Sequence, residues 1–278
     1  MTEFKPGIYP DIPAKVYHAG LSTPRPLSST LAKNLLTMLP EEALWELEHG
    51  EHKDSYDFGT AAHELILQGE LKTAIELPFE SFRTREAKEA KAEAESQDLT
   101  AFATGKLDEV RGMADVVLAK GENAGLLGSG GQAEVSALVE CDGIMLQTRY
   151  DYLRLPDETH EGFILDLKTT TGSASPSAFN KVAGKYRYHV QAAMYQWVLQ
   201  LLGYPKLPFI WLVVSKNKPY ASSLIQASQT DLETGQLCLN DAINKWKAVQ
   251  SGKTASSGIT QSSLPAWIQY EAEELTND

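Results

Sequence analysis

A chain of 278 residues, 42% hydrophobic and 22% charged, has the make-up of a folded globular protein and is long enough for one α/β unit with additions. The net charge of −12 excludes a protein that coats nucleic acid through overall positive charge. Two cysteines outside any CxxC pair exclude a four-cysteine zinc or iron–sulfur centre within one chain, and apolar runs far shorter than a bilayer exclude a membrane span, so no membrane partner and a cytoplasmic location are expected.

Residues 1–27 hold Pro6, Pro10, Pro13, Pro24 and Pro26 and read as an extended arm, either ordered or a tether. Ser28-Ser29-Thr30 then offers N-caps for a helix carrying Leu31, Leu35 and Leu36, which stops at Pro40, and Glu41 to His49 gives a second helix with an acidic first turn. Phe58, Ala61, Ala62, Leu65 and Ile66 recur at helical spacing between Tyr56 and Leu67. His63 lies in that helix among small residues, and Glu64 beside it reads as a cap or ion-pair residue. Arg83 to Glu95 interleaves charges with almost no apolar face, so it predicts an exposed helix. Leu99 to Leu127 predicts one longer helix, broken by Gly128-Ser129-Gly130-Gly131, a linker without the lysine of a phosphate loop.

From Glu134 the pattern changes to strands. Runs around Glu134-Val135-Ser136, from Ile144 to Tyr150 and from Phe163 to Leu167 are alternating or continuously apolar, with turn residues from Pro156 to Gly162 between the last two. Asp166 sits inside the third run, and burying a carboxylate without a partner costs several kcal/mol. Lys168 is two residues on, so the strand period places both side chains on one face. A hairpin would also bring Asp151, at the end of the preceding strand, to the same spot. Two carboxylates that close repel unless a cation lies between them, and a hard, oxygen-preferring ion such as Mg2+, with Mn2+ as substitute, suits the position.

A helix from about His189 to Leu202 puts Gln191 and Tyr195 one turn apart on one face, while Ala192, Ala193, Val198 and Leu199 face a sheet. Strands are predicted at Phe209 to Ser215 and Ala221 to Ala227, and a closing helix from Thr230 to Val249. One domain thus runs from 28 to 250: a mainly helical part at 28–127, a sheet with its helix at 133–227, and the closing helix at 230–250. The tail 251–278 carries Leu264-Pro265-Ala266-Trp267 as an anchor and an acidic end, Glu271 to Asp278, read as loose. Between Leu167 and Thr230 there is no acid but seven bases, so all of the net negative charge lies elsewhere. Such a basic strip fits phosphate contact in one channel, with Lys181, Lys185 and Arg187 as DNA-binding candidates beside Tyr186.

Asp151, Asp166-Leu167-Lys168 and Gln191-x-x-x-Tyr195, with Phe58-Gly59-Thr60-Ala61-Ala62-His63 and Glu134 upstream, resemble the PD-(D/E)xK nucleases, and among them the RecE-like (exonuclease VIII) branch with its QxxxY helix. Tyr150 stands where the signature has proline. The resemblance implies a restriction-endonuclease-like α/β core, a central mixed sheet flanked by helices with an N-terminal helical addition. It implies His63, Asp151, Asp166 and the Leu167 carbonyl as metal ligands, Glu134 near a second metal or the attacking water, Lys168 orienting that water or stabilising charge, and Gln191 and Tyr195 holding the scissile phosphate or bracing Lys168. It further implies Mg2+-dependent 5′ to 3′ digestion of linear duplex DNA, 3′ single strands for an annealing protein, and a ring-shaped homo-oligomer. The rival readings are an endonuclease with the same metal site, a non-catalytic DNA-end-binding scaffold, and a nuclease of RNA or single strands.

Overall fold

The computed structural model describes residues 3–50 and 54–252, so the proposed tail anchor and acidic end lie outside the described residues. In chain order the elements are β1 (Gly7–Tyr9), α1 (Ala14–Ala19), β2 (Leu27–Ser28), α2 (Ser29–Leu35), α3 (Pro40–His49), α4 (Asp54–His63), a π-helical turn (Glu64–Gln68), β3 (Ala74–Glu76), α5 (Arg85–Ser96), β4 (Thr100–Phe102), α6 (Lys106–Leu118) and α7 (Gly121–Leu127). The second half adds β5 (Gln132–Cys141), β6 (Ile144–Arg154), β7 (Phe163–Thr170), α8 (Pro176–Lys185), α9 (Tyr188–Leu201), β8 (Phe209–Ser215), β9 (Ser222–Gln226) and α10 (Gln229–Gln250).

A seven-stranded mixed sheet runs β1-β5-β6-β7-β8-β9, with β2 also laid on β6. β7 and β8 are parallel, joined by a crossover through α8 and α9; the other neighbours on the path are antiparallel. The alternation predicted along the strands sorts two cores. Ile164, Phe209, Trp211 and Val213 face α2, α9 and α10, whereas Leu165, Leu167, Leu212 and Val214 face α4 and α6. Asp166 and Lys168 share parity with Ile164, so they project to the α9 side.

The central feature is a fork. β6 and β7 pair only at Tyr152↔Leu165, Leu153↔Ile164 and Arg154↔Phe163, and the next step of that register would set Asp151 against Asp166. There the ladder stops. Farther back along β6, its free edge is taken instead by β2, through Leu27↔Leu146 and Ser28↔Gln147. The proline-rich arm is therefore ordered and part of the sheet: β1 extends the β5 edge, and Ile12, Tyr17 and Leu21 bury against Leu138. Gln147 holds the arm on β2's approach, accepting from Leu21 N–H at 3.1 Å and donating to Tyr17 O at 3.2 Å.

Three local readings change. The single helix expected from Leu99 to Leu127 is a strand and two helices, because Thr100–Phe102 pairs in parallel with Ala74–Glu76, a strand that periodicity did not reveal. Gly105, at φ 80°, turns the chain into α6. The helix expected to Leu67 ends at His63 and continues as a π turn, in which the buried Glu64 accepts the N–H groups of Lys72 and Thr73. The basic strip is not continuous: Lys206 precedes β8 at the Ile164 end of the sheet, whereas Lys216 N–H bonds Thr170 O at the other.

α9 and α10 cross closely at Gly235, where an added Cβ would lie 2.2 Å from His189 O. Gly235→Ala is expected to destabilise the protein by about 1–3 kcal/mol despite alanine's better helix propensity, because the contact is with backbone that cannot rotate away. Chemical denaturation of the variant against the parent checks this.

Candidate active site

The fork exposes polar groups that a continued ladder would have consumed. Leu167 N–H, deprived of a backbone acceptor on β6, donates to Asp151 Oδ2 at 2.8 Å. Asp166 is fully buried beside it. Its Oδ1 accepts from Gln191 Nε2 at 2.7 Å, and its Oδ2 lies 2.6 Å from Lys168 Nζ. His63, closing α4, places Nδ1 3.5 Å from Asp151 Oδ2. Five of the expected residues, with the Leu167 backbone, thus meet in one place, carried there by α4, β6, β7 and α9.

α9 is set over the pair by Tyr150. That side chain is fully buried, stacks edge-on against Tyr195 at 5.0 Å and donates its hydroxyl to Tyr195 O at 2.9 Å. The tyrosine at the signature's proline position therefore clamps the helix that carries Gln191. Gln191 braces Asp166 rather than Lys168, since its amide donates and a carboxylate accepts. Tyr195 borders the same cavity, but its ring is engaged by Tyr150 and its hydroxyl by Ser29.

The cavity in front of the pair is about 400 Å³ and is bordered by Asp151, Lys168 and Gln191 on one side and by arm and α2 residues on the other. Arg25, Lys33 and Arg149 border it too, three cations that the motif reading missed. Arg149 was legible in principle, being two residues before Asp151 on one strand; Lys33 is the lone base of a helix that buries Leu31, Ala32 and Leu35; Arg25 sits between prolines and carries no signal. Glu134 is bound by Arg149, its Oε2 accepting from Nε at 2.6 Å, while Arg149 Nη1 donates to Ile12 O and Ser136 Oγ. Glu134 thus positions a cation at the cavity rim. Lys181, Lys185 and Arg187 lie outside the cavity, on α8 and the turn into α9.

Charge at the site is unevenly balanced. Burial, then the Asp166 carboxylate, raise Asp151 from 3.8 to about 6 against the lowering effect of His63 and Lys168. Burial pulls Lys168 down, but Asp166 and Asp151 outweigh it and its pKa is raised, so it remains an ammonium. Burial lowers Lys33 to about 8, with Lys168 adding to the effect. Among the described residues no three His, Cys, Asp or Glu side chains converge as a ready metal cage. The donor chemistry nonetheless fits a hard divalent ion: a buried carboxylate held above its ordinary range is one whose negative charge is under-compensated.

A family model described as a PDDEXK-like domain of unknown function (DUF3799) matches residues 28–261. The chain belongs to that family. The match spans the fork, α2, α4 and α9, and PD-(D/E)xK nucleases generally use divalent metal ions. Among solved structures, a Eubacterium rectale protein named "Putative exonuclease" aligns with a TM-score of 0.64 at 13% identity, over 92% of this chain and 97% of that one, which establishes the shared fold. The protein SSO0001 aligns with a TM-score of 0.29 at 16% identity, over 70% of this chain and 87% of that one, too low to carry an argument. No curated protein matches the sequence. No helix among the described residues is long and apolar enough to cross a membrane.

The raised Asp151 pKa has a signed consequence. A carboxyl group that ionises less readily folded than unfolded contributes its stabilisation below pH 3.8 and loses it as pH rises through about 6. In EDTA, Asp151→Asn is therefore expected to melt higher than the parent at pH 7.5 and to lose that advantage near pH 4, while added Mg2+ raises the melting temperature of the parent only. Thermal melts across pH with and without Mg2+ check both parts.

Proposed function

We propose that this protein is a divalent-metal-dependent deoxyribonuclease of the RecE-like branch, digesting linear duplex DNA from an end. The observation that carries the reading is the fork itself: Asp151 and Asp166 in cross-strand register with the ladder open between them, and Lys168 Nζ 2.6 Å from Asp166. His63, Asp151, Asp166 and the Leu167 carbonyl would hold the metal, which when bound lowers the pKa of a water and offsets charge on the phosphate. Lys168, held as an ammonium by its carboxylate neighbours, donates hydrogen bonds to water or phosphate oxygens and stabilises developing negative charge. Gln191 fixes the rotamer of Asp166, so the carboxylate is preorganised. Arg25, Lys33 and Arg149 neutralise phosphates entering the cavity.

End digestion is favoured over internal cutting by the size of the chamber. At about 400 Å³, lined by arm and α2 residues as well as by Asp151 and Lys168, it falls in the range of clefts that hold a single small ligand, which suits one strand better than a paired duplex. Mg2+ as the working ion, 5′ to 3′ polarity, 3′ single-stranded products for an annealing partner and a ring-shaped homo-oligomer belong to the same proposal and rest on the RecE-like motifs.

End-labelled linear duplex and a covalently closed circle, each incubated with Mg2+ or EDTA, test it. Mg2+-dependent release of the 5′ label with the circle intact is expected, and Asp166→Ala or Lys168→Ala should lower the rate by at least about a hundredfold. Circle cleavage at the linear rate would make the protein an endonuclease, and undiminished activity in either variant would remove the assignment.

A further inference from the structure

The turn between α8 and α9 has a geometry that the metal site does not require. Residues two apart do not face one another in a helix, yet the rings of Tyr186 and Tyr188 stack at 5.9 Å with 21° between their planes. Arg187 between them makes this possible by adopting φ 53°, a left-handed conformation that is strained for a non-glycine residue. Tyr188 is the inner ring: Phe179 stacks on it at 5.9 Å, and Lys168 Nζ lies 4.9 Å and Lys33 Nζ 5.9 Å from its centroid. Tyr186 is the outer ring, 53% exposed, with Lys185 Nζ 5.3 Å from its centroid. A ladder of aromatic faces and ammonium groups thus leads from the proposed catalytic lysine to solvent.

Resting on the nuclease reading, we infer that Tyr186 is a stacking platform for one unpaired nucleobase of the strand whose phosphate meets Lys168. The ring supplies a face that any base can use, and Lys185 and Lys168 supply cations for the flanking phosphates, the pairing of features by which proteins hold single-stranded nucleic acid. The substrate class at the site is therefore a locally melted end, with the terminal base pairs opened before hydrolysis. Tyr186 is also exposed enough for a base to reach it from solvent.

The test uses the full chain with Ca2+ in place of Mg2+, so that binding is read without turnover, and short duplexes bearing 2-aminopurine or a single abasic nucleotide at successive positions from the end. In the parent, 2-aminopurine should be quenched at one position near the end, and base removal there should weaken binding about fivefold or more, since stacking on an aromatic side chain contributes about 1–3 kcal/mol per base. Tyr186→Ala should abolish both the quench and the sensitivity to base removal, and Tyr186→Trp should restore them. Equal sensitivity in Tyr186→Ala, or a parent indifferent to base removal at every position, overturns the platform, and the second outcome needs no variant to fold. A parent that hydrolyses DNA with Mg2+ while showing no stacking loses only this inference; a parent that does not hydrolyse DNA loses the nuclease reading.

Discussion

Two carboxylates set opposite each other inside a sheet are the constraint around which this molecule is arranged. Continued pairing of β6 and β7 would place Asp151 and Asp166 side by side with the neighbouring backbone N–H groups already bonded, leaving only side chains to compensate their charge. The strands part instead. The N–H released at Leu167 goes to Asp151, Gln191 and Lys168 divide the oxygens of Asp166, and His63 approaches from α4. Asp151 is still left above its ordinary pKa, so the compensation is incomplete by the measure that matters for cation binding.

Parting the strands opens an edge on β6, and the arm fills it. β2 takes the vacated edge and leads directly into α2, so Arg25 and Lys33 are delivered to the cavity by the same segment that repairs the sheet. On the other side Tyr150 locks α9, and Gly235 lets α10 lie close behind it. Few of these contacts touch the acids. They fix the positions of the groups that do, and a site that must hold reacting atoms to within fractions of an ångström depends on such support.

Local electrostatics would let a chain of net charge −12 engage the polyanion proposed as its substrate. The cations that matter are gathered locally from the arm, α2, β6 and β7 around one chamber, where a low-dielectric wall strengthens each of them. The long acid-free stretch is not gathered at the chamber, since Lys206 lies at the far end of the sheet and Lys185 lies over an aromatic ring outside it.

The five strands from β5 to β9, the hairpin at Pro156 to Gly162, the Asp166–Lys168 face and the Gln191–Tyr195 stripe were legible in the chain itself, because period-two and period-four spacings are local and a buried acid in an apolar run stands out from its neighbours. The short strands Ala74–Glu76 and Thr100–Phe102 were not, since each is held by pairing with the other across more than twenty residues. Nor was the role of Glu134, whose partner Arg149 is fifteen residues away across a hairpin, or the gathering of Arg25 and Lys33, which depends on the edge that β7 abandons. Sequence by itself therefore determined which side chains could do the chemistry; the tertiary structure decided which of them share a chamber, because that follows from where a ladder stops and what then occupies its edge, a contest between distant segments with no local periodic trace.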